Sequence, residues 1–360
     1  MPHVIHGNSQ QVLKDYSDNT FDAVVTDPPY GLSATNTDQV LSALTAWLAG
    51  DRSFIPGGRG FMGHAWDRFV PPPALWDEVF RVLKPGGYAA IFAGDRTSDL
   101  MGLSVRLAGF QMRMPMMWVY GQGMPKSRTS LKPAFEPILL ARKPFRGSEQ
   151  ANVAQWGTGA LHVDAARIPH RNAADLAESV TKNQHADFGS APEENHVYGD
   201  RSMLASLNYD GSKGRWPSNV VLDESTAAML DEQSGVTQSR AGKPRAGKPG
   251  PGWGTTAGGA EYDDIGGASR FFYVAKAGRN ERPSYVGPDG KLVTHPTVKP
   301  LALIEHLLSL VARPGFSVLD PFAGSGPVAQ AAEKLGMEWT VIEDHEPYLP
   351  LIRQRLEKVA

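Results

Sequence analysis

Between Ser317 and Glu343 the chain writes a strand, a glycine-rich turn, a helix, a second strand and an acid, an order that few folds accommodate. Phe316 to Leu319 reads as a short strand, and Ser317-Val318-Leu319-Asp320 runs straight into Pro321-Phe322-Ala323-Gly324-Ser325-Gly326. Pro327 to Leu335 has helical spacing, and Glu338 to Ile342 is the next strand. Parallel strands joined by a crossover helix are the repeating unit of an α/β sheet, and the small residues stand where backbone must approach a ligand closely. Glu343 follows nineteen positions after Gly324, the offset at which a carboxylate accepts both hydroxyls of a ribose. There is no Gly-Lys-Ser/Thr and no third glycine in the dinucleotide spacing, so the pattern predicts a nucleoside pocket without a pyrophosphate to hold.

The N-terminal third carries the same alternation. His3 to His6 reads as a strand, Gln10 to Tyr16 as a helix, and Phe21 to Thr26 as a buried strand ending at Asp27-Pro28-Pro29-Tyr30. Leu75 to Leu83 is an amphipathic helix stopped by Lys84-Pro85-Gly86-Gly87, and Tyr88 to Ala93 is a further strand. Met112 to Tyr120 and Pro137 to Ala141 read as two more strands, and Leu301 to Val311 and Tyr348 to Lys358 as helices. From 145 to 290 the pattern breaks into short segments among Gly, Pro, Asn and Ser, which predicts an inserted domain. Within it Ala241-Gly242-Lys243-Pro244 recurs as Ala246-Gly247-Lys248-Pro249, in a tract too poor in apolar residues to build a core.

The turn after Thr26 predicts its own chemistry. An exocyclic amine on a nucleobase has its lone pair delocalised into the ring, and it becomes a nucleophile when acceptors hold its two hydrogens and favour a pyramidal nitrogen. Asp27 and the backbone carbonyl of Pro28 are suited to be those acceptors; Pro28 and Pro29 fix the turn, and Tyr30 offers a flat face for a base to stack on. A base inside a duplex cannot reach such a turn, so the target must swing out.

A net charge of −2 is unusual for a partner of nucleic acid until it is divided along the chain. Residues 101–300 hold 24 Lys and Arg against 19 Asp and Glu, while the flanks hold 12 against 19. Eight basic residues against two acids between 101 and 150 make a segment where a polyanion can lie. Candidate phosphate contacts are Lys126, Arg128, Arg142, Lys143, Arg215, Lys243, Arg245, Lys248, Arg270 and Lys276. Trp156, Trp216 and Trp253 are suited to stack or wedge, with packing expected for the first two. With no cysteine, thiolate metal sites and cysteine nucleophiles are excluded, and no histidine–carboxylate spacing suggests a metal. No membrane-spanning run or signal pattern is evident, which predicts a cytoplasmic location.

Taken together, these residues resemble the amino-group DNA methyltransferases of the permuted, β-type order, in which the catalytic motif precedes the target-recognition region and the cofactor motif comes last. The resemblance spans nearly the whole chain: Asp27 to Tyr30, Trp66-Asp67, Arg81 to Gly87, Trp118 to Ser127, Leu131 to Pro144, Ser269 to Lys276, His295 to Pro300, Asp320 to Gly326 and Glu343. It implies a Rossmann-like, mostly parallel seven-stranded sheet with helices on both faces. A catalytic half would occupy 1–144, a target-recognition domain 145–290 and a cofactor-binding half 291–360.

It further implies S-adenosyl-L-methionine as cofactor, double-stranded DNA as substrate and a homodimer, with a partner endonuclease left open. Asp27, Pro28, Pro29 and Tyr30 would act on the amine; Asn8, Asp27, His295, Thr297, Lys299, Phe322, Ala323, Gly324, Ser325, Gly326 and Glu343 would line the cofactor pocket. Lys299 would hold the carboxylate of the cofactor's methionine part, and Asp320 would support its ammonium. Three positions depart from the family's usual residues: Asn8 for an acid, His64 for a lysine and Phe135 for a histidine. Asp rather than Ser before the prolines tilts the target toward adenine N6, with cytosine N4 as the alternative. An RNA base, a protein amide, or a DNA-binding regulator without catalysis are the competing readings.

Overall fold

β2 (Phe21–Thr26) is buried at every position, and its sequence explains how a central strand tolerates two polar residues. Asp22 Oδ1 accepts from Lys84 Nζ at 2.6 Å and Oδ2 from Ser317 N at 2.8 Å, so the buried carboxylate ties β2 to the segments on either side. Those segments begin β3 (Leu83–Phe92) and β13 (Ser317–Asp320), both parallel to β2. The computed structural model describes residues 3–32, 36–58, 60, 67–123, 125, 127–170, 173, 176, 211–238, 265–276, 278 and 281–359.

Among the described residues the main sheet has ten strands. From one edge the order runs β1 (His3–His6), β14 (Glu338–Glu343), β13, β2, β3, β6 (Phe135–Arg142), β5 (Met116–Val119), β7 (Val220–Asp223) and β10 (Tyr273–Ala275), with β4 (Gln111–Met112) paired to β6. Pairing is parallel from β1 through β3 and again between β5 and β7, and antiparallel where β6 meets β3, β4 and β5. The sheet is therefore mostly parallel but wider than the seven strands expected, because β4, β7 and β10 are added around β6 and β5. Two antiparallel pairs stand apart: β8 (Thr237–Gln238) with β9 (Ile265–Gly266), and β11 (Ser284–Val286) with β12 (Leu292–Thr294).

Local chemistry shifted several boundaries. The helix Pro73–Val82 passes directly into β3, and Lys84-Pro85-Gly86-Gly87, expected as a stop, forms an irregularity within that strand. The run 112–120 divides into β4 and β5 around Pro115, which has no N–H to offer a ladder. Ala89, Ile91 and Ala93 pack in one cluster with Trp76, Val79 and Met101 of the helices Pro73–Val82 and Ser98–Leu107. Ala90 and Phe92 point the other way and are also buried, and the helix Leu301–Val311 packs on β2 and β3. Burial on both faces explains why these strands read as continuous apolar runs.

The chain divides into two compact units: 1–166 with 219–225 and 274–360, and 167–218 with 226–273. The first includes 145–166 and 274–290, which the sequence pattern assigns to the insertion. The helix Glu149–Trp156 belongs there because Asn152 Nδ2 donates to Pro85 O at 2.9 Å and Thr158 Oγ1 to the same oxygen at 2.6 Å. In the second unit Asp231 accepts from Ser269 N and Ser269 Oγ, each at 2.8 Å. Among the described residues, no helix is long and apolar enough to cross a membrane.

Candidate active site

β2 and β13 are neighbours in register, Ala23 beside Val318 and Val24 beside Leu319, so the turns that leave their carboxyl ends open side by side. Thr26 Oγ1 donates to Asp320 Oδ1 at 2.7 Å and joins the two strand ends across 294 positions of sequence. A cavity of about 560 Å³ lies over them, within the range that holds a cofactor-sized ligand. Asn8, Asp27, Pro28, Pro29, Tyr30, His295, Thr297, Lys299, Phe322, Gly324 and Glu343 line it, together with Asp67 and Glu136. Asp320, Ala323 and Ser325 line a smaller hollow of about 30 Å³ that shares Asp27, His295 and Lys299. Gly326 starts the helix Pro327–Lys334, its N–H donating to Ala323 O at 2.8 Å.

Asp67 shapes the turn that carries Asp27. Its buried carboxylate accepts from three successive backbone amides: Tyr30 N at 2.7 Å and Gly31 N at 2.9 Å on Oδ1, and Leu32 N at 3.3 Å on Oδ2. Burial raises its pKa while the three amides pull it down, and burial prevails. Gly31 has φ +64°, and a Cβ there would stand 2.9 Å from the backbone of Phe69, so only glycine fits this bend. Asp67 belongs to the Trp66-Asp67 pair of the family resemblance, which assigns it no role; Trp66 and His64 fall outside the described residues.

Glu136 is the other residue that sequence reasoning missed. It stands at the start of the apolar strand β6, which brings it to the mouth of the turn. Tyr30 Oη lies 2.7 Å from Asp27 Oδ1 and 2.9 Å from Glu136 Oε2, and Lys299 Nζ lies 2.7 Å from Asp27 Oδ2 and 3.3 Å from Glu136 Oε2. The Lys299 side chain is 5% exposed and sits over the rings of Tyr30 and Phe92 at 5.2 and 5.1 Å. Burial pulls the Lys299 pKa down, but Asp27 and Glu136 outweigh it and raise it. Burial and the same two carboxylates hold the Tyr30 phenol well above its ordinary value. An acid opening an otherwise apolar strand was the signal for Glu136.

On the β13–β14 side, Glu343 Oε2 accepts from Gly324 N at 2.7 Å and Oε1 from His345 N at 2.8 Å. Burial pushes Glu343 up to about 7 against the pull of these amides, and pushes Asp320 up to about 7 against its bonds from Thr26 and Phe322 N. Gly324 has φ +54°, and a Cβ there would meet His295 Nε2 at 2.9 Å, so the glycine makes room for the imidazole. His295 Nδ1 accepts from Thr297 N at 3.3 Å, its ring packs against Tyr348 at 4.8 Å, and burial lowers its pKa to about 4.

Several of the basic residues singled out for phosphate contact are committed elsewhere. Lys143 Nζ donates to Asn19 Oδ1, Arg81 O and Leu83 O, and so ties down the start of β3. Arg142 donates to Gly159 O and stacks on Phe145 at 4.8 Å, and the buried Arg270 donates to Gly266 O and Gly267 O. Buried guanidinium and ammonium groups find backbone acceptors in this way, which removes these three as ready phosphate ligands. Arg215 stacks on Phe271 at 5.6 Å. Arg128 and Lys276 are exposed; Lys126, Lys243, Arg245, Lys248 and Trp253 lie outside the described residues. Trp216, expected in a core, is 51% exposed beside Arg167, whereas Trp156 is partly buried.

Several known methyltransferases are similar to this chain. The Type II methyltransferase M.HpaI of Haemophilus parainfluenzae is 22% identical over 357 residues, which cover 98% of this chain and 74% of that protein. The Type II methyltransferase M2.DpnII of Streptococcus pneumoniae is 40% identical over 63 residues, 18% of this chain and 24% of that protein. Among solved structures, the PvuII DNA methyltransferase (cytosine-N4-specific) aligns with a TM-score of 0.48 at 13% identity, covering 99% of this chain and 89% of that one. The M1.HpyAVI–SAM complex aligns with a TM-score of 0.43 at 15% identity, covering 99% and 100%. The sequence profile of the N6/N4 DNA methylases matches residues 21–354, from the first residue of β2 to the last helix, and the chain belongs to that DNA methylase family.

Proposed function

We propose that this protein is a site-specific DNA methyltransferase that takes its methyl group from S-adenosyl-L-methionine and places it on the exocyclic N6 amine of an adenine swung out of the duplex. The observation that carries the reading is the single cavity shared by Asp27, at the end of β2, and by Gly324 and Glu343, at the ends of β13 and β14. The donor set suits the cofactor: Glu343 presents acceptors for ribose hydroxyls, and Gly324 brings backbone without a side chain of its own to the pocket wall beside His295. Bound S-adenosyl-L-methionine supplies a methyl carbon made electrophilic by its sulfonium.

The chain's own residues prepare the amine. Asp27 and the backbone carbonyl of Pro28 accept its two hydrogens, which localises the nitrogen lone pair, and Asp67 keeps the turn rigid so that these acceptors do not reorganise during the reaction. Swinging the base out costs a few kcal/mol of stacking, to be offset by contacts inside the cavity. Asp rather than Ser before Pro28 favours adenine over cytosine, as a tilt between amines that present the same two hydrogens. The unit made of 167–218 and 226–273 is assigned to target recognition, and Arg128 and Lys276, which belong to the other unit, are assigned as phosphate contacts. The resemblance also favours a homodimer, which sedimentation equilibrium tests.

Nucleoside mass spectrometry of DNA from cells expressing the wild type and Asp27→Ala tests the assignment. N6-methyladenine is expected from the wild type and not from the variant; 4-methylcytosine alone would refute the choice of base, and no methylated base from either would refute the reaction.

A further inference from the structure

Lys299 is a buried cation between the two halves of the candidate reaction, and its partners are not those expected of a cofactor ligand. Its ammonium faces Asp27 Oδ2 at 2.7 Å and Glu136 Oε2 at 3.3 Å, and Tyr30 Oη closes the circuit to Asp27 Oδ1 at 2.7 Å and Glu136 Oε2 at 2.9 Å. One ammonium is already matched by two carboxylates. A third carboxylate, that of the cofactor's methionine part, would add one more negative charge around an ammonium whose side chain is already buried between two carboxylates.

The circuit does something specific to Asp27. Each of its carboxylate oxygens receives one fixed donor, so the plane of the group is set and the remaining lone pairs are free for an incoming amine. A base filling the cavity removes water from Asp27, and desolvation favours the protonated acid, which cannot accept at the protonated oxygen. An ammonium in contact opposes that change. We propose, on the basis of the amine-methylation reading above, that Lys299 is a positioning residue for Asp27: it orients the carboxylate and keeps it ionised when the target base fills the site. Glu136 holds Lys299 in place. Lys299 therefore serves the acceptor of the amine and not the cofactor.

Titratable groups face this cluster from the neighbouring elements: Asp67 from the segment ahead of the helix Pro73–Val82, Asp320 from the end of β13, His295 from the segment before the helix Leu301–Val311, and Tyr120 after β5, which feels Glu136, Lys299 and Asp95. All of them stay constant in the variants below, so differences between pH profiles report on Lys299 and Glu136.

The test compares the wild type, Lys299→Met, Lys299→Arg and Glu136→Gln on duplex DNA, with single-turnover methylation from pH 5 to 9 and calorimetric titration with S-adenosyl-L-homocysteine. Lys299→Met is expected to bind S-adenosyl-L-homocysteine within about threefold of the wild type, while its methylation rate at pH 7 falls by about 100-fold, the scale of an assisting acid–base group. Its acid limb should move up, because the ammonium that faces the amine's acceptor has been removed. Glu136→Gln removes a like charge and should move the limb the other way, and Lys299→Arg should recover part of the rate.

A Lys299→Met variant that loses cofactor affinity tenfold or more, yet methylates at the normal rate when saturated, would make Lys299 a cofactor ligand and overturn the proposal. A slow variant with an unmoved limb would reduce Lys299 to a structural role and overturn it equally. Should Lys299→Met not fold, the opposed shift in Glu136→Gln and the rate of Lys299→Arg decide the matter: no shift and a wild-type rate refute it. A wild type that methylates no DNA amine at any pH refutes the parent reading instead, and is recognised before any variant is compared.

Discussion

Removing Asp67 should loosen the turn that carries Asp27 while leaving the sheet beneath it intact. Asp67→Ala strips the acceptor from three amides, two at short range (2.7 and 2.9 Å) and one at 3.3 Å. Hydrogen bonds to an ionised acceptor are worth about 1.5–3 kcal/mol each, so two good bonds and one weak one amount to about 4–7 kcal/mol before the cost of burying the charge. That cost is substantial, since burial raises the Asp67 pKa in spite of the three amides. The balance is a net loss of about 2–4 kcal/mol, concentrated where the amides are orphaned. Asp67→Asn keeps one acceptor oxygen but turns an NH₂ toward the remaining amide, and should lose about half as much. Urea unfolding gives the total, and native-state hydrogen exchange locates it: Tyr30, Gly31 and Leu32 amides should exchange faster while those of β2 keep their protection. Wild-type stability to within about 0.5 kcal/mol, with unchanged exchange at those three amides, would refute the reasoning.

Three further outcomes are expected of the folded protein. Asp320 and Glu343 sit at about 7 in the fold, above their ordinary 3.8 and 4.5, so the folded chain holds protons that the unfolded chain has released. The stability of the ligand-free protein should therefore fall by a few kcal/mol as pH rises from about 4 to 7 and then level off, with Glu343→Gln flattening part of the slope in thermal unfolding scans. Gly324→Ala forces a side chain into φ +54° and toward His295, and should cost about 1–2 kcal/mol together with about tenfold in cofactor affinity, read by calorimetry. Lys143→Met should destabilise the fold by about 1–3 kcal/mol yet leave the salt dependence of DNA binding unchanged, whereas Arg128→Ala should lower that slope by about one unit with little effect on stability.

Much of this protein is legible along its chain because much of its organisation is local. The strand, glycine turn, helix and strand of 317–343 are set by periodicity and by where small residues must stand, and the structure places them within a residue or so of that reading. The acid at 343 reaches Gly324 as its spacing predicts. Where side-chain partners lie far away in sequence, the same reasoning fails. Lys143, Arg142 and Arg270 read as surface cations, yet each is consumed by carbonyls that no local pattern brings near.

The chain alone determined that an α/β sheet would carry a glycine-rich turn and an Asp-Pro-Pro-Tyr turn at the ends of two strands, because those motifs are written in consecutive residues. Only the tertiary structure decided that β2 and β13 would be neighbours, and that Glu136 and Lys299 would close around Asp27 from 109 and 272 positions away. Strand order is a property of the packed sheet. An ion pair between distant residues exists only once that sheet has brought their backbones together and excluded the water that would otherwise separate them.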